Sequence, residues 1–66
     1  MNVNDIFKAL ADPTRRTIFD KLAVGSMNAS ALREGLPISQ SAMSQHLAVL
    51  RNAGLVRETK QGRFVN

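Results

Sequence analysis

Residues 39–50 carry the polar groups best suited to bind another molecule, and this stretch contains no charged side chain. Its short amides and hydroxyls belong to Ser39, Gln40, Ser41, Ser44 and Gln45. In the major groove of duplex DNA, Gln amides can pair with adenine, and Ser hydroxyls with several bases or with phosphates. The pattern therefore predicts a helix face that contacts DNA, against the alternative of an ordinary polar surface. We expect Ser39 to act first as a helix cap and second as a phosphate contact.

Basic side chains follow this stretch near the end of the chain. Lys60 and Arg63 flank Gly62, where they could contact the phosphate backbone or the minor groove beside the helix. Arg51 and Arg57 could add further contacts. Because each neutralised phosphate adds only about 0.9 to the salt slope, so few basic groups predict weak binding by a single copy and useful affinity from a dimer.

Charge is unevenly distributed along the sequence. The net charge is +4 at pH 7 and the sequence pI is about 10.8, as is typical of proteins that bind nucleic acids. Five basic and four acidic residues lie up to Ile38, a net charge of +1, whereas four basic residues and one acidic residue follow it, a net charge of +3. This asymmetry favours an anionic partner over charge that serves solubility alone.

The sequence offers few residues suited to enzyme catalysis or metal binding. His46 is the only histidine and there is no cysteine, so we expect neither a metal site nor a cofactor, and assign His46 to packing or a phosphate contact. Ser44 and His46 are two positions apart on a predicted helix, so their side chains point in different directions and cannot form a nucleophile and its base. We predict that the protein is not an enzyme.

The size and composition indicate one small folded domain over residues 1–66. Hydrophobic residues make up 44% of the chain, but there are only three Phe and no Trp or Tyr, which argues against stacking of single-stranded nucleic acid. No apolar run reaches the roughly 20 residues that span a bilayer. We therefore expect a cytoplasmic protein without a membrane partner.

Two helices are predicted in the first part of the chain. The first runs from Asn4 or Asp5 to about Ala11, with an apolar face formed by Ile6, Phe7 and Leu10. A second helix begins at Pro13 with Asp12 as its cap, and it ends near Val24. Its buried positions are expected at Ile18, Phe19 and Leu22. Gly25 offers the left-handed conformation that closes a helix.

Two more helices and a hairpin follow. Asn28 can cap a third helix over about residues 29–35, and its inward-facing residues are Ala31, Leu32 and Leu36. Pro37 ends this helix. A fourth helix begins with Ser39 as its cap and runs to about Ala53. Met43, Leu47 and Leu50 share one face of this helix and are predicted to be core. Residues 55–59 and 63–66 are predicted strands joined by a turn at residues 60–62. The order predicts a mainly α fold with a β-hairpin, a winged helix-turn-helix of four helices and a two-stranded wing.

The sequence resembles the winged-helix repressors of the ArsR/SmtB type over about residues 6–65. The resemblance is carried by three stretches, which are Ala11-Asp12-Pro13-Thr14-Arg15-Arg16, the block from Ser39 to Leu47 with Leu50, and Ala53-Gly54-Leu55-Val56. It implies a homodimer that occupies a palindromic operator on double-stranded DNA and blocks transcription. It also implies that Gln40, Ser41, Ser44 and Gln45 touch DNA and that Lys60, Gln61, Gly62 and Arg63 form the wing.

Two departures from the family pattern concern metal sensing and pairing. Metal-sensing members carry cysteines where this chain has Met27, Asn28 and Ala29, so the resemblance implies no thiolate site there, and the run at residues 12–16 resembles members that sense no metal. The family's dimerisation helix lies beyond the wing, and we expect this chain, which ends at Asn66, to lack it. Without that helix we expect dimerisation to be weakened or lost.

Two hypotheses from different classes result. The first is a sequence-specific regulator of transcription, a repressor that acts by occupying its operator. The alternative is a winged-helix module whose exposed helix or hairpin binds other proteins and not DNA, because this fold serves both uses.

Overall fold

The computed structural model describes residues 2–66 as four helices followed by an antiparallel hairpin. The elements are α1 (Val3–Ala11), α2 (Pro13–Val24), α3 (Ala29–Arg33), α4 (Gln40–Asn52), β1 (Arg57–Glu58) and β2 (Phe64–Val65). This order confirms the predicted winged helix-turn-helix. No helix among the described residues is long and apolar enough to cross a membrane.

Side-chain caps set where the helices begin. The Asp12 carboxylate accepts a hydrogen bond from the Arg15 backbone N–H at 2.9 Å, and Pro13 occupies the first turn of α2, as predicted. Asn28 accepts from the Ala31 N–H at 2.8 Å and begins α3. The predicted first helix begins earlier than expected, at Val3, because the Asn2 side chain caps it.

The break between α3 and α4 places the two helices of the helix-turn-helix. The third helix ends at Arg33, two residues before the predicted Gly35, which has a positive φ of 79°. The Lys21 ammonium of α2 donates hydrogen bonds to the carbonyl oxygens of Leu32 at 3.2 Å and Glu34 at 2.7 Å. A cation at these otherwise unpaired carbonyls stabilises the end of α3 and fixes it to α2.

The hairpin is shorter than predicted but has the predicted connection. Arg57 pairs with Val65 and Glu58 with Phe64, and Gly62 closes the turn with a φ of 78°. The other edge of β2 is also occupied, because the Phe64 N–H donates to the Met27 carbonyl at 2.7 Å and the Met27 N–H donates back at 3.1 Å. This bridge ties the wing to the segment that precedes α3.

The core lies between the helices and one side of the hairpin. The fully buried large side chains come from α2, α3 and α4 and are Ile18, Leu32, Met43 and Leu50. Leu47, Val56 and Phe64 complete it near the hairpin. The inward face predicted for the fourth helix is therefore confirmed, and α4 is held by its apolar side.

Two predictions about packing were wrong, at Phe7 and Gly25. Phe7 is 68% exposed, whereas Ala9 of α1 is fully buried and the predicted Leu10 packs against the core. Gly25 is extended, with φ 172° and ψ 167°, and does not form a left-handed cap. The chain leaves α2 in this extended form because it must reach Met27, which pairs with β2. Phe19 is only half-buried against the core.

Candidate nucleic-acid interface

The uncharged polar face of α4 is exposed. Gln40, Ser41, Ser44 and Gln45 are all accessible, while the opposite side of the helix is in the core. The prediction that this face contacts DNA requires that the rest of the protein does not cover it. The face meets this requirement. The face is available to a groove that admits a helix.

Ser39 serves as the cap of α4. Its hydroxyl accepts a hydrogen bond from the Ala42 N–H at 3.0 Å and lies 3.4 Å from the Ser41 hydroxyl. The first turn of α4 contains no acidic residue. The partial positive charge of the helix N-terminus is therefore not offset by a neighbouring carboxylate in that turn, which favours approach of a phosphate.

Arg15 joins three helices. Its guanidinium donates to the carbonyl oxygens of Ala9 at 2.7 Å and Lys8 at 3.1 Å, in the last turn of α1. Its third contact is His46 Nδ1 of α4, at 3.3 Å. A basic residue shortly after a helix end, where unpaired carbonyls need donors, was the signal that could have revealed this role.

His46 is consequently placed differently from the four polar residues of α4. It is half-buried and its Nδ1 faces the Arg15 guanidinium. The contact joins Arg15 Nη1 and His46 Nδ1, and Nδ1 can accept here only when it carries no proton, because a guanidinium can only donate. The structure thus gives His46 a packing and hydrogen-bonding role within the protein, one of the two roles predicted for it.

The wing presents one of its two predicted cations freely. Lys60 and Gln61 are exposed in the turn. Arg63, in contrast, donates from Nε to the Ser26 hydroxyl at 2.9 Å and from Nη2 to the Ser26 carbonyl at 2.6 Å. These bonds hold the Arg63 guanidinium against the segment before α3, and the phosphate contact expected of Arg63 stays a prediction.

Arg51 forms an ion pair with Glu58, which the sequence did not reveal. The two side chains meet at 3.1 Å, from the last turn of α4 to β1, and both are about half exposed. The pair lines a cleft of about 320 Å³ between α4 and the hairpin, together with Ser44 and Gly62. Candidate contacts on the helix and on the wing therefore border the same cleft.

Asp12 has a pKa below its ordinary value of 3.8, mainly because its carboxylate accepts the hydrogen bond from the Arg15 backbone N–H, with the Arg15 and His46 charges adding to the effect. The residue carries the cap of α2, so its charge is linked to folding.

Among residues 2–66 no group of three or more His, Cys, Asp or Glu side chains could hold a metal ion.

We predict that acid destabilises the protein partly through Asp12. A depressed pKa in the folded state makes a stabilising contribution that is complete above the unfolded value and disappears as the pH falls through the folded value. Substituting Asp12→Asn keeps a capping side chain but removes this titration. Urea unfolding between pH 7 and pH 3 should show a shallower loss of stability for Asp12→Asn than for the wild type. Parallel curves for the two proteins would contradict the assignment.

Comparison with known proteins agrees with this architecture. Residues 12–58 match the family described as bacterial regulatory protein, arsR family, and this stretch contains α2, α3, α4 and the first strand of the hairpin. The chain belongs to the ArsR family. As a member of the ArsR family, it shares 40% identity over 63 residues with the transcriptional repressor SdpR of Bacillus subtilis, covering 96% of this chain and 70% of SdpR.

Further ArsR relatives give the same result. The HTH-type transcriptional regulator Rv2034 of Mycobacterium tuberculosis is 46% identical over 56 residues, which is 85% of this chain and 52% of Rv2034. The solved structure of an ArsR-like transcriptional regulator from Rhodococcus sp. RHA1 superposes with a TM-score of 0.84 at 37% identity, over 94% of this chain and 61% of that one. The protein is thus an ArsR-family DNA-binding regulator of transcription, and a module that binds only proteins is the weaker hypothesis.

Proposed function

We propose that this protein is a cytoplasmic, non-enzymatic repressor that pairs with a second copy and occupies a palindromic operator on duplex DNA. The observation that carries the proposal is the exposed, uncharged face of α4, with Gln40, Ser41, Ser44 and Gln45 directed away from the core. In this arrangement α4 enters the major groove, and Lys60 and Gln61 approach the phosphate backbone beside it. The repressor named SdpR supports the sign of regulation.

Pairing is supported by apolar side chains left on the surface of α1. Val3 is 61% and Phe7 68% exposed, and they are four positions apart, so they lie on the same face of the helix. Two neighbouring exposed apolar side chains offer a surface that a second copy could cover. A dimer with twofold symmetry would place its two α4 helices on half-sites about 34–36 Å apart, or a multiple of that spacing.

We predict that substitutions in α4 and in the wing affect DNA binding differently. Gln45→Ala should remove discrimination at one base pair, at a cost of about 1–3 kcal/mol on the selected operator and little on random DNA. Lys60→Gln should weaken binding to all sequences and reduce the salt slope by about 0.9 per protomer. The matched control is Lys8→Gln, which removes the same charge from α1.

The measurement is selection of an operator from a random duplex library, followed by fluorescence anisotropy at several salt concentrations and by transcription in vitro from a promoter carrying that operator. Transcription should fall in proportion to the fraction of the operator that the protein occupies. If a dimeric form of the protein ignores duplex DNA even at low salt, the protein-binding hypothesis gains and this proposal is wrong. Raised transcription would overturn repression alone.

A further inference from the structure

Glu58 is the only acidic residue after Glu34, in the part of the chain that contains α4 and the wing. It lies on β1 and its carboxylate contacts the Arg51 guanidinium at 3.1 Å. A carboxylate near a DNA-binding surface repels phosphates, and this one also neutralises a cation that would otherwise attract them.

The Arg51–Glu58 pair lies between the two surfaces proposed to contact DNA. The Arg51–Glu58 pair lines the cleft between α4 and the hairpin, and Ser44 on the helix and Gly62 in the wing turn line the same cleft. A duplex that contacts both the exposed face of α4 and the tip of the wing has to pass over this cleft. One of its phosphates would then compete with Glu58 for Arg51.

Exposure makes such an exchange easy. The Arg51 side chain is 49% and the Glu58 side chain 43% accessible, so the pair is solvated and screened by salt. An exposed pair of this kind adds little to the stability of a fold, whose core here is formed by buried apolar side chains. Replacing the carboxylate by a phosphate would therefore leave the apolar core contacts of α4 in place.

We propose that Glu58 is a specificity-determining residue that competes with DNA phosphate for Arg51, an inference that rests on the DNA-binding function proposed above. On random DNA, where phosphate contacts supply nearly all the affinity, Glu58 retains Arg51 and lowers binding. On the operator, base contacts at α4 fix the duplex closely enough for a phosphate to displace Glu58. The carboxylate thus suppresses unspecific binding more than specific binding.

The test is salt-dependent binding of dimeric wild-type protein and of Glu58→Gln to a selected operator and to random duplex DNA. The variant should bind random DNA about three- to tenfold more tightly, with a salt slope steeper by about 0.9 per protomer. Operator affinity should rise less, so that the ratio of operator to random affinity falls. Unchanged or weaker binding by Glu58→Gln, with an unchanged slope, overturns the assignment and leaves the pair as a support for the hairpin.

Two further variants separate the competition from a simple change in net charge. Glu34→Gln removes the same charge from the end of α3 and should change the salt slope far less. In an Arg51→Gln background, Glu58→Gln should no longer steepen the slope, because the cation that it releases is gone. An equal gain with and without Arg51, or an equal effect of Glu34→Gln, would show that Glu58 does not act through Arg51.

The result also distinguishes this inference from the proposed function. Absence of duplex binding by the wild type and by Glu58→Gln alike would overturn the function and this assignment together. Sequence-selective binding by the wild type with no effect of Glu58→Gln would overturn the assignment and leave the function standing. Circular dichroism of each variant verifies that it is folded.

Discussion

Placing a carboxylate at the centre of the exposed face of α4, with Ser44→Glu, should lower operator affinity at least about 100-fold. Ser44 is exposed and lines the cleft between α4 and the hairpin, where the duplex would lie. Like charges brought together at an interface cost several kcal/mol, and about 2.8 kcal/mol corresponds to a factor of 100. Because the side chain is not part of the core, thermal stability should change little.

The matched control for Ser44→Glu is Thr17→Glu, which adds the same negative charge to an exposed position of α2 next to Asp20, outside the proposed interface. Anisotropy titrations at one fixed salt concentration compare the two variants with the wild type. We expect Thr17→Glu to bind within a few-fold of the wild type. Operator binding by Ser44→Glu at wild-type strength would mean that α4 does not enter the groove.

Truncating the core residue Leu50 to alanine should remove a large part of the stability of the fold. Leu50 is fully buried on α4, and removing such a side chain typically costs about 2–5 kcal/mol. A domain of 66 residues has a total stability of only roughly 3–10 kcal/mol. Urea unfolding followed by circular dichroism, at one protein concentration because pairing would add to stability, measures the loss.

Two controls distinguish loss of packing from other effects at this position. Leu50→Met nearly preserves the buried volume and should cost less than about 1.5 kcal/mol. Val49→Ala truncates a neighbouring side chain that is 39% exposed and should cost clearly less stability than Leu50→Ala. A Leu50→Ala protein as stable as Val49→Ala would contradict the described packing of α4.

Features that depend on neighbours in sequence could be predicted well. Asp12, Asn28 and Ser39 were expected to begin helices, and each accepts a hydrogen bond from a backbone N–H three residues later. A cap needs only a short acceptor and a free donor close by, so its signal is local. The inward face of α4 was also predictable, since its apolar residues recur with one helical period.

Features that depend on distant partners could not be predicted from the sequence. Arg63 contacts Ser26, which is 37 positions away, and Arg15 contacts His46, which is 31 positions away. A basic residue on a loop or a first turn has many possible acceptors, and only the packed fold selects one. The exposed position of Phe7 was missed for a related reason. The periodicity of α1 shows that the helix has an apolar side, but it does not show which residues on that side pack against the neighbouring helices.

The three contacts of Arg15 also have a mechanical consequence. The guanidinium grips the end of α1 through two carbonyl oxygens and touches α4 through the imidazole of His46. A tilt of α1 must therefore either break the charge-assisted hydrogen bonds of Arg15 or move α4 together with α1. A molecule that binds the outer side of α1 would thus also shift α4 and the exposed polar face that this helix carries.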